Sequence, residues 1–167
     1  MPGLKHLAVI VLALTINLPA LAGSDMEDKK ESEMEVKQVV AVFYKALNAM
    51  FTGDLDPMKE IWSHADDVTY MGPDGSFQVG WDQVLANWQW QADKKLGGKV
   101  KPGEMTITAG QDIAIVNHYV TGENTPADGK SEKVSLRATL LFRKEDGKWK
   151  MLGLHSDTLP FLEKGMR

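Results

Sequence analysis

The chain has 167 residues, with 19 basic and 23 acidic side chains for a formal net charge of −4, and it contains no cysteine. A mildly acidic balance argues against nucleic acid and anionic lipid as main partners, and the lack of cysteine excludes disulfides and thiol catalysis. That length suits one domain, and nine methionines and five tryptophans are ample material for its core.

The first 22 residues read as a targeting segment. Lys5 and His6 give a short basic start, residues 7–18 are an apolar run interrupted only by Thr15 and Asn17, and Pro19 breaks it. Ala20-Leu21-Ala22 is a cleavage site of the small-x-small type, which places the mature N-terminus at Gly23. The run is shorter than the roughly 20 apolar residues that a membrane helix requires, so no membrane association is expected after cleavage. Cleavage leaves 145 residues, 18 basic and 23 acidic, with a net charge of −5. The expected location is periplasmic or secreted, and an oxidising compartment does not demand disulfides when the core is large enough.

Residues 23–35 form a charged, solvated leader that frays into a helix. The helix proper spans 36–52, because Val36, Val39, Val40, Phe43, Leu47, Met50 and Phe51 recur at spacings of three and four. Gly53 ends it. Asp56-Pro57 reads as an N-cap and first helical residue for a short helix reaching about residue 63. Residues 64–67 are an acidic turn, 68–71 a strand, Gly72-Pro73-Asp74-Gly75 a tight turn and 77–79 a second strand. Asp82 is placed to cap a third helix over 83–96 that carries Val84, Leu85 and Trp88, and Gly97-Gly98 stops it. Only strands follow, at 104–108, 113–122, 134–144 and 148–156, the last two joined around Glu145-Asp146-Gly147. Pro160 opens a short end segment with Phe161 and Leu162. Helices followed by strands make an α+β domain over residues 36–162.

Several pieces of this chain stand in a telling order. They are Gly53-Asp54-Leu55-Asp56, Ile61-Trp62, Ala65-Asp66-Asp67-Val68, Gly72-Pro73-Asp74-Gly75 and Gly80, and then the run from Arg137 to Ser156. Over roughly residues 36–158 the pattern resembles the SnoaL-like branch of the nuclear transport factor 2-like (NTF2-like) superfamily. The resemblance implies a cone: a curved antiparallel sheet wrapped around three N-terminal helices, enclosing a pocket. That superfamily holds isomerases, cyclases, dehydratases, binding modules and assembly domains, so fold does not decide function. Its ketosteroid-isomerase-like members need a carboxylate base at the position that falls here on Gly72, and glycine cannot abstract a proton. Their tyrosine donor falls near Ala46, with Tyr44 two residues away on another helix face.

Strand alternation supplies the candidate site. With Lys144 opposite Lys148, Thr139 meets Gly153 and Arg137 meets His155. One face of this hairpin then carries Arg137, Thr139, Leu141, Met151, Gly153, His155 and Asp157. The other carries Leu136, Ala138, Leu140, Phe142, Leu152 and Leu154, which is plain core. Asn117 and Tyr119 share a face of the neighbouring strand, and His118 takes the opposite one. The mixed face is expected to point into the cone beside Tyr70 or Trp88, giving a ligand site of Arg137, Thr139, His155, Tyr70 and Trp88. Arg137 would supply fixed charge to a carboxylate or carbonyl, with His155 and Asp157 as catalytic candidates. The alternative is an Arg137–Asp157 ion pair with His155 as its structural partner. His64, Asp66 and Asp67 do not define a closed metal site, and no metal or cofactor is expected. Trp90 lies off the apolar stripe of its helix and suits a pocket lip or a subunit contact. A homodimer through the uncovered sheet face is expected. The reading is an exported domain that binds a small organic carbonyl or carboxylate ligand. The alternatives are a lyase, cyclase or isomerase using His155 and a carboxylate, and a dimeric interaction domain.

Overall fold

The computed structural model describes residues 20–127 and 129–159. Residues 1–19 of the targeting segment and the expected end segment at 160–162 lie outside them. Helix α1 (Ala20–Met50) is far longer than the apolar stripe predicts, because residues 26–35 continue the helix without a break. Met, Glu and Lys there are good helix formers, and Lys29 and Glu33 stand at i,i+4 with 4.0 Å between charges. The leader also packs: Ser32 is buried. The Glu35 carboxylate accepts from Lys144 Nζ at 2.9 Å and Trp149 Nε1 at 2.8 Å. The Lys144 bond is the largest of the influences that hold Glu35 below its ordinary pKa.

Helix α2 (Asp56–Ile61) begins one residue differently from expectation. Leu55 occupies the N-cap position and Asp56 lies in the first turn, where it accepts from Lys59 Nζ at 2.9 Å. Strands β1 (Thr69–Met71) and β2 (Phe77–Val79) flank a turn closed by Gly72 N–H on Ser76 O and Gly75 N–H on Gly72 O, both 3.0 Å. Helix α3 (Trp81–Asp93) starts after Gly80 rather than at Asp82. Gly80 holds φ at 84°, a value that costs a side-chain-bearing residue steric strain. Val84, Trp88 and Ala92 form its buried stripe.

Strands β3 (Lys99–Ala109), β4 (Ile113–Asn124), β5 (Glu132–Glu145) and β6 (Lys148–Thr158) are all longer than their apolar alternation. Backbone pairing asks for no apolar side chain, so pairs such as Lys99 with Glu123 extend the ladder into polar sequence. The six strands run in the order β2-β1-β6-β5-β4-β3, antiparallel except where β1 joins β6 in parallel. The curved sheet does not close. No helix among the described residues is long and apolar enough to cross a membrane.

The β5–β6 hairpin corrects the expected register. Its turn is the two residues Asp146 and Gly147, with φ of 48° and 76°, so Glu145 pairs with Lys148 and Lys144 with Trp149. A bulge between Leu141 and Phe142 then sets Phe142 against Met151 and Leu141 against Gly153. Thr139 thus faces His155, and Arg137 faces Asp157. Met151, between the turn and this bulge, stands opposite Phe142 and is fully buried on the core face, not on the mixed one.

Paired residues share a face, so the registers define two surfaces. Tyr70, Leu154, Leu140 and Val116 line up across the inner face. Met71, His155, Thr139 and Asn117 line up across the outer one. The helices pack on the inner face, where Trp62, Trp88, Phe43 and Phe142 are almost wholly buried. Each such side chain contributes about 1.5–3 kcal/mol by leaving water. Arg143 ties the hairpin to the turn before β1. It reaches Asp67 through two bonds of 2.6 and 3.1 Å and Glu145 at 2.9 Å, while Ser63 Oγ donates to Glu145 at 2.7 Å. The bond from Arg143 holds Asp67 below the usual carboxylate range. His64, beside it, stacks on Trp81 with 4.2 Å between ring centroids.

Candidate functional site

The inner face is not completely filled. A cavity of about 390 Å³ remains between α1, α3 and the strands β1, β4, β5 and β6. Phe43 and Leu47 of α1 and Phe51 just past its end, spaced four residues apart, form one wall. Trp88 and Gln91 of α3 form another, and Val120, Leu136 and Leu154 form the sheet side. Tyr70 is the inward-facing residue of a three-residue strand. The polar groups deep in this apolar space are Tyr44, Tyr70, Gln91 and Ser156, and Glu132 and Lys133 are exposed members of the lining.

Tyr44 is hydrogen-bonded to His118 Nε2 at 2.5 Å, and their rings meet edge-on with centroids 5.7 Å apart. His118 sits between Val116 and Val120 on the inward face of β4, and its Nδ1 has no hydrogen-bond partner among the described residues. Burial pushes the His118 imidazole below its ordinary value, a contact with the Val116 backbone opposing it. Burial raises the Tyr44 phenol strongly. Both groups are therefore neutral near pH 7, and neither carries charge into the cavity. Tyr70 is likewise raised by burial, with the Gln91 and Asn87 amides working against the shift.

The residues singled out in the sequence divide between the two faces. Tyr70 and Trp88 line the cavity, with ring centroids 4.9 Å apart. Arg137, Thr139, His155 and Asp157 do not point into the cone; they border an open hollow on the outer face with Asn117 and Tyr119. The Arg137 side chain is 64% exposed and that of His155 50%. Asp157 stands 3.4 Å from both Arg137 Nε and His155 Nε2, which is the ion-pair alternative. Thr139 Oγ1 donates to Asn117 Oδ1 at 2.9 Å. The reason is the helices: they cover the uniformly apolar face, and the cavity is the unfilled part of that same core. Trp90 is half exposed, with Lys94 Nζ 3.2 Å from its ring centroid. Tyr44, His118, Gln91 and Ser156 carry no sequence motif. Their signal was only position: Tyr44 beside the α1 stripe, and His118 and Ser156 in phase with buried neighbours.

Comparison with known proteins places this geometry. The family described as SnoaL-like domain matches residues 36–158. This chain belongs to it. No curated protein matches the SnoaL-like chain. Solved structures do. A dehydratase candidate of the NTF2-like family from Streptomyces avermitilis is 19% identical, with a TM-score of 0.69 over 78% of this chain and 98% of that one. A candidate calcium/calmodulin-dependent protein kinase II association domain from Xanthomonas campestris is 23% identical, with a TM-score of 0.63 over 75% and 89%. The association domain of the C. elegans kinase is 15% identical, with a TM-score of 0.62 over 77% and 99%. At such identities these likenesses show the NTF2-like fold. In this SnoaL-like domain Gly72, where the resemblance puts the isomerase base, is crowded by neighbouring side chains. A Cβ there would stand 2.6 Å from Asp74 Oδ1, 2.7 Å from Ser76 Oγ and 2.8 Å from the Tyr70 ring.

Proposed function

We propose that this SnoaL-like domain is an exported, homodimeric binder of a small organic molecule bearing a carbonyl-type group, without committed chemistry of its own. One observation carries the reading: the cavity is walled by aromatic and aliphatic side chains, and its deep polar groups are all neutral. Its volume of 390 Å³ falls in the range of about 300–1,000 Å³ used for small ligands. Among the described residues no carboxylate stands deep in it to act as a base, and His118 Nε2 is taken up by its bond to Tyr44. Native mass spectrometry of the protein purified from periplasm or medium tests binding and export together. The expected result is a mature chain starting at Gly23 and a bound mass that is lost when Leu136→Trp fills the cavity. A retained Met1 overturns export, and an unliganded chain that binds no member of a neutral aromatic panel overturns the binding reading.

The dimer rests on the outer face. Two exposed apolar groups stand there, Met71, Phe77 and Val79 on β1 and β2 and Ile113 and Ile115 on β4, with β6 and β5 between them. Solved relatives of the same fold include proteins named association domains. Sedimentation should give a dimer for wild type and a monomer for Ile115→Lys. A wild-type monomer at about 50 µM, far above a sub-micromolar dissociation constant, sinks this part.

A further inference from the structure

Two buried donors on the cavity wall have no acceptor among the described residues. Tyr70 is 4% exposed, and its oxygen accepts from Gln91 Nε2 at 3.1 Å. Among the described residues nothing accepts the Tyr70 proton. Trp88 is 1% exposed, and its Nε1 has no hydrogen-bond partner among the described residues. The two rings touch edge-on, with 4.9 Å between centroids and 69° between planes. Buried N–H and O–H groups are almost always paired, so each exception asks for a cause. A solitary unpartnered indole marks nothing: Trp62 Nε1 is also without a partner, and Trp62 is not on the cavity wall. What sets Tyr70 and Trp88 apart is that two such donors sit on touching rings of one cavity.

Resting on the binding reading above, we infer that Tyr70 and Trp88 form a two-donor cradle for the carbonyl oxygen of a neutral, largely apolar ligand such as a ketone, ester or amide. A carbonyl oxygen has two lone pairs and accepts two donors in the plane of its substituents. An ionised carboxylate fits poorly. The cationic side chain on the wall is Lys133, exposed and next to Glu132, and the deep wall has only neutral donors. An unpaired charge buried against neutral groups is far costlier than a buried carbonyl. Arg137, the cation the sequence offered for a carboxylate, stands on the opposite face of the sheet.

Three probes of one shape separate the outcomes: 2-acetylnaphthalene, 2-ethylnaphthalene and 2-naphthoate, titrated by calorimetry into wild type and Tyr70→Phe. The phenylalanine removes the hydroxyl and keeps the ring. The ketone should bind wild type more tightly than the hydrocarbon and the carboxylate. Tyr70→Phe should weaken the ketone about three- to tenfold, the worth of one hydrogen bond, and leave the hydrocarbon unchanged. A melting curve of Tyr70→Phe confirms that the variant is folded. Trp88→Phe, which removes Nε1, should weaken the ketone likewise and serves if Tyr70→Phe does not fold. Equal changes for ketone and hydrocarbon overturn the cradle while leaving the cavity a binding site. Naphthoate binding as tightly as the ketone overturns the neutral class. No binding by any of the three overturns the binding reading itself, and the cradle with it.

Discussion

Replacing Tyr44 by phenylalanine isolates the buried bond between α1 and β4. Phenylalanine keeps the ring, and with it the edge contacts to Phe43 and His118 at centroid distances of 5.2 and 5.7 Å. Only the hydroxyl is lost. His118, already without a partner at Nδ1, is then left with both nitrogens unpaired. Stranding a buried polar group costs about 1–3 kcal/mol. For a domain of this size each kcal/mol moves the melting temperature by about 3–5 °C, so a central cost of ~2 kcal/mol lowers it by about 6–10 °C. His118→Leu strands the tyrosine hydroxyl and should cost a similar amount. The double variant, with both polar groups gone, should be little worse than either single one. Calorimetric melting of the four proteins therefore gives a coupling of about 1–2 kcal/mol. Additivity within about 0.3–0.5 kcal/mol would mean that the bond contributes nothing, and would refute the reasoning.

Other outcomes follow from the same geometry. The imidazole of His118 is held below its ordinary 6.5 by burial, so below that pH the unfolded chain binds a proton that the folded chain does not. Unfolding then takes up a proton, and urea midpoints should fall as pH drops from about 7 to 5, a slope that His118→Leu should flatten. Arg143→Ala cuts the hairpin from Asp67 and leaves Glu145 bound to Ser63. With Asp67 62% exposed, the cost should be about 1–2 kcal/mol in urea unfolding. Arg137→Ala removes an exposed ion pair and should change stability by less than about 0.5 kcal/mol, with no effect on binding of a neutral probe in the cavity.

The order of helices and strands was legible because the α1 stripe, the turn at 72–75 and the Asp146-Gly147 hairpin are each local chemistry. What the sequence did not show is which side of the hairpin the helices would cover. Alternation separated the two faces of β5 correctly: Leu136, Ala138, Leu140 and Phe142 share one, Arg137 and Thr139 the other. A face with mixed polarity resembles a pocket wall, yet here it is the open side. The cavity shares its face with the core, and an unfilled part of a core has the same composition as a filled one. Met151 was misplaced for a different reason. The two-residue turn sets it against Phe142, and only beyond the bulge at Leu152 do Gly153 and His155 return to the mixed face. Trp88 was placed by the helix stripe it shares with Val84, and both it and Tyr70 line the cavity.

The crowding at Gly72 also bears on how this domain could change in evolution. The turn around it is held by Ser76 Oγ donating to Asp74 Oδ1 at 2.6 Å, and the Ser76 backbone N–H reaches the same oxygen at 3.1 Å. Any Cβ at Gly72 would press on both of those side chains and on the Tyr70 ring at once. A carboxylate side chain at Gly72 therefore requires the Asp74 and Ser76 side chains and the Tyr70 ring to give way with it. A relative with a side chain at this position should carry Asp74 and Ser76 turned away or replaced, and Tyr70 seated differently.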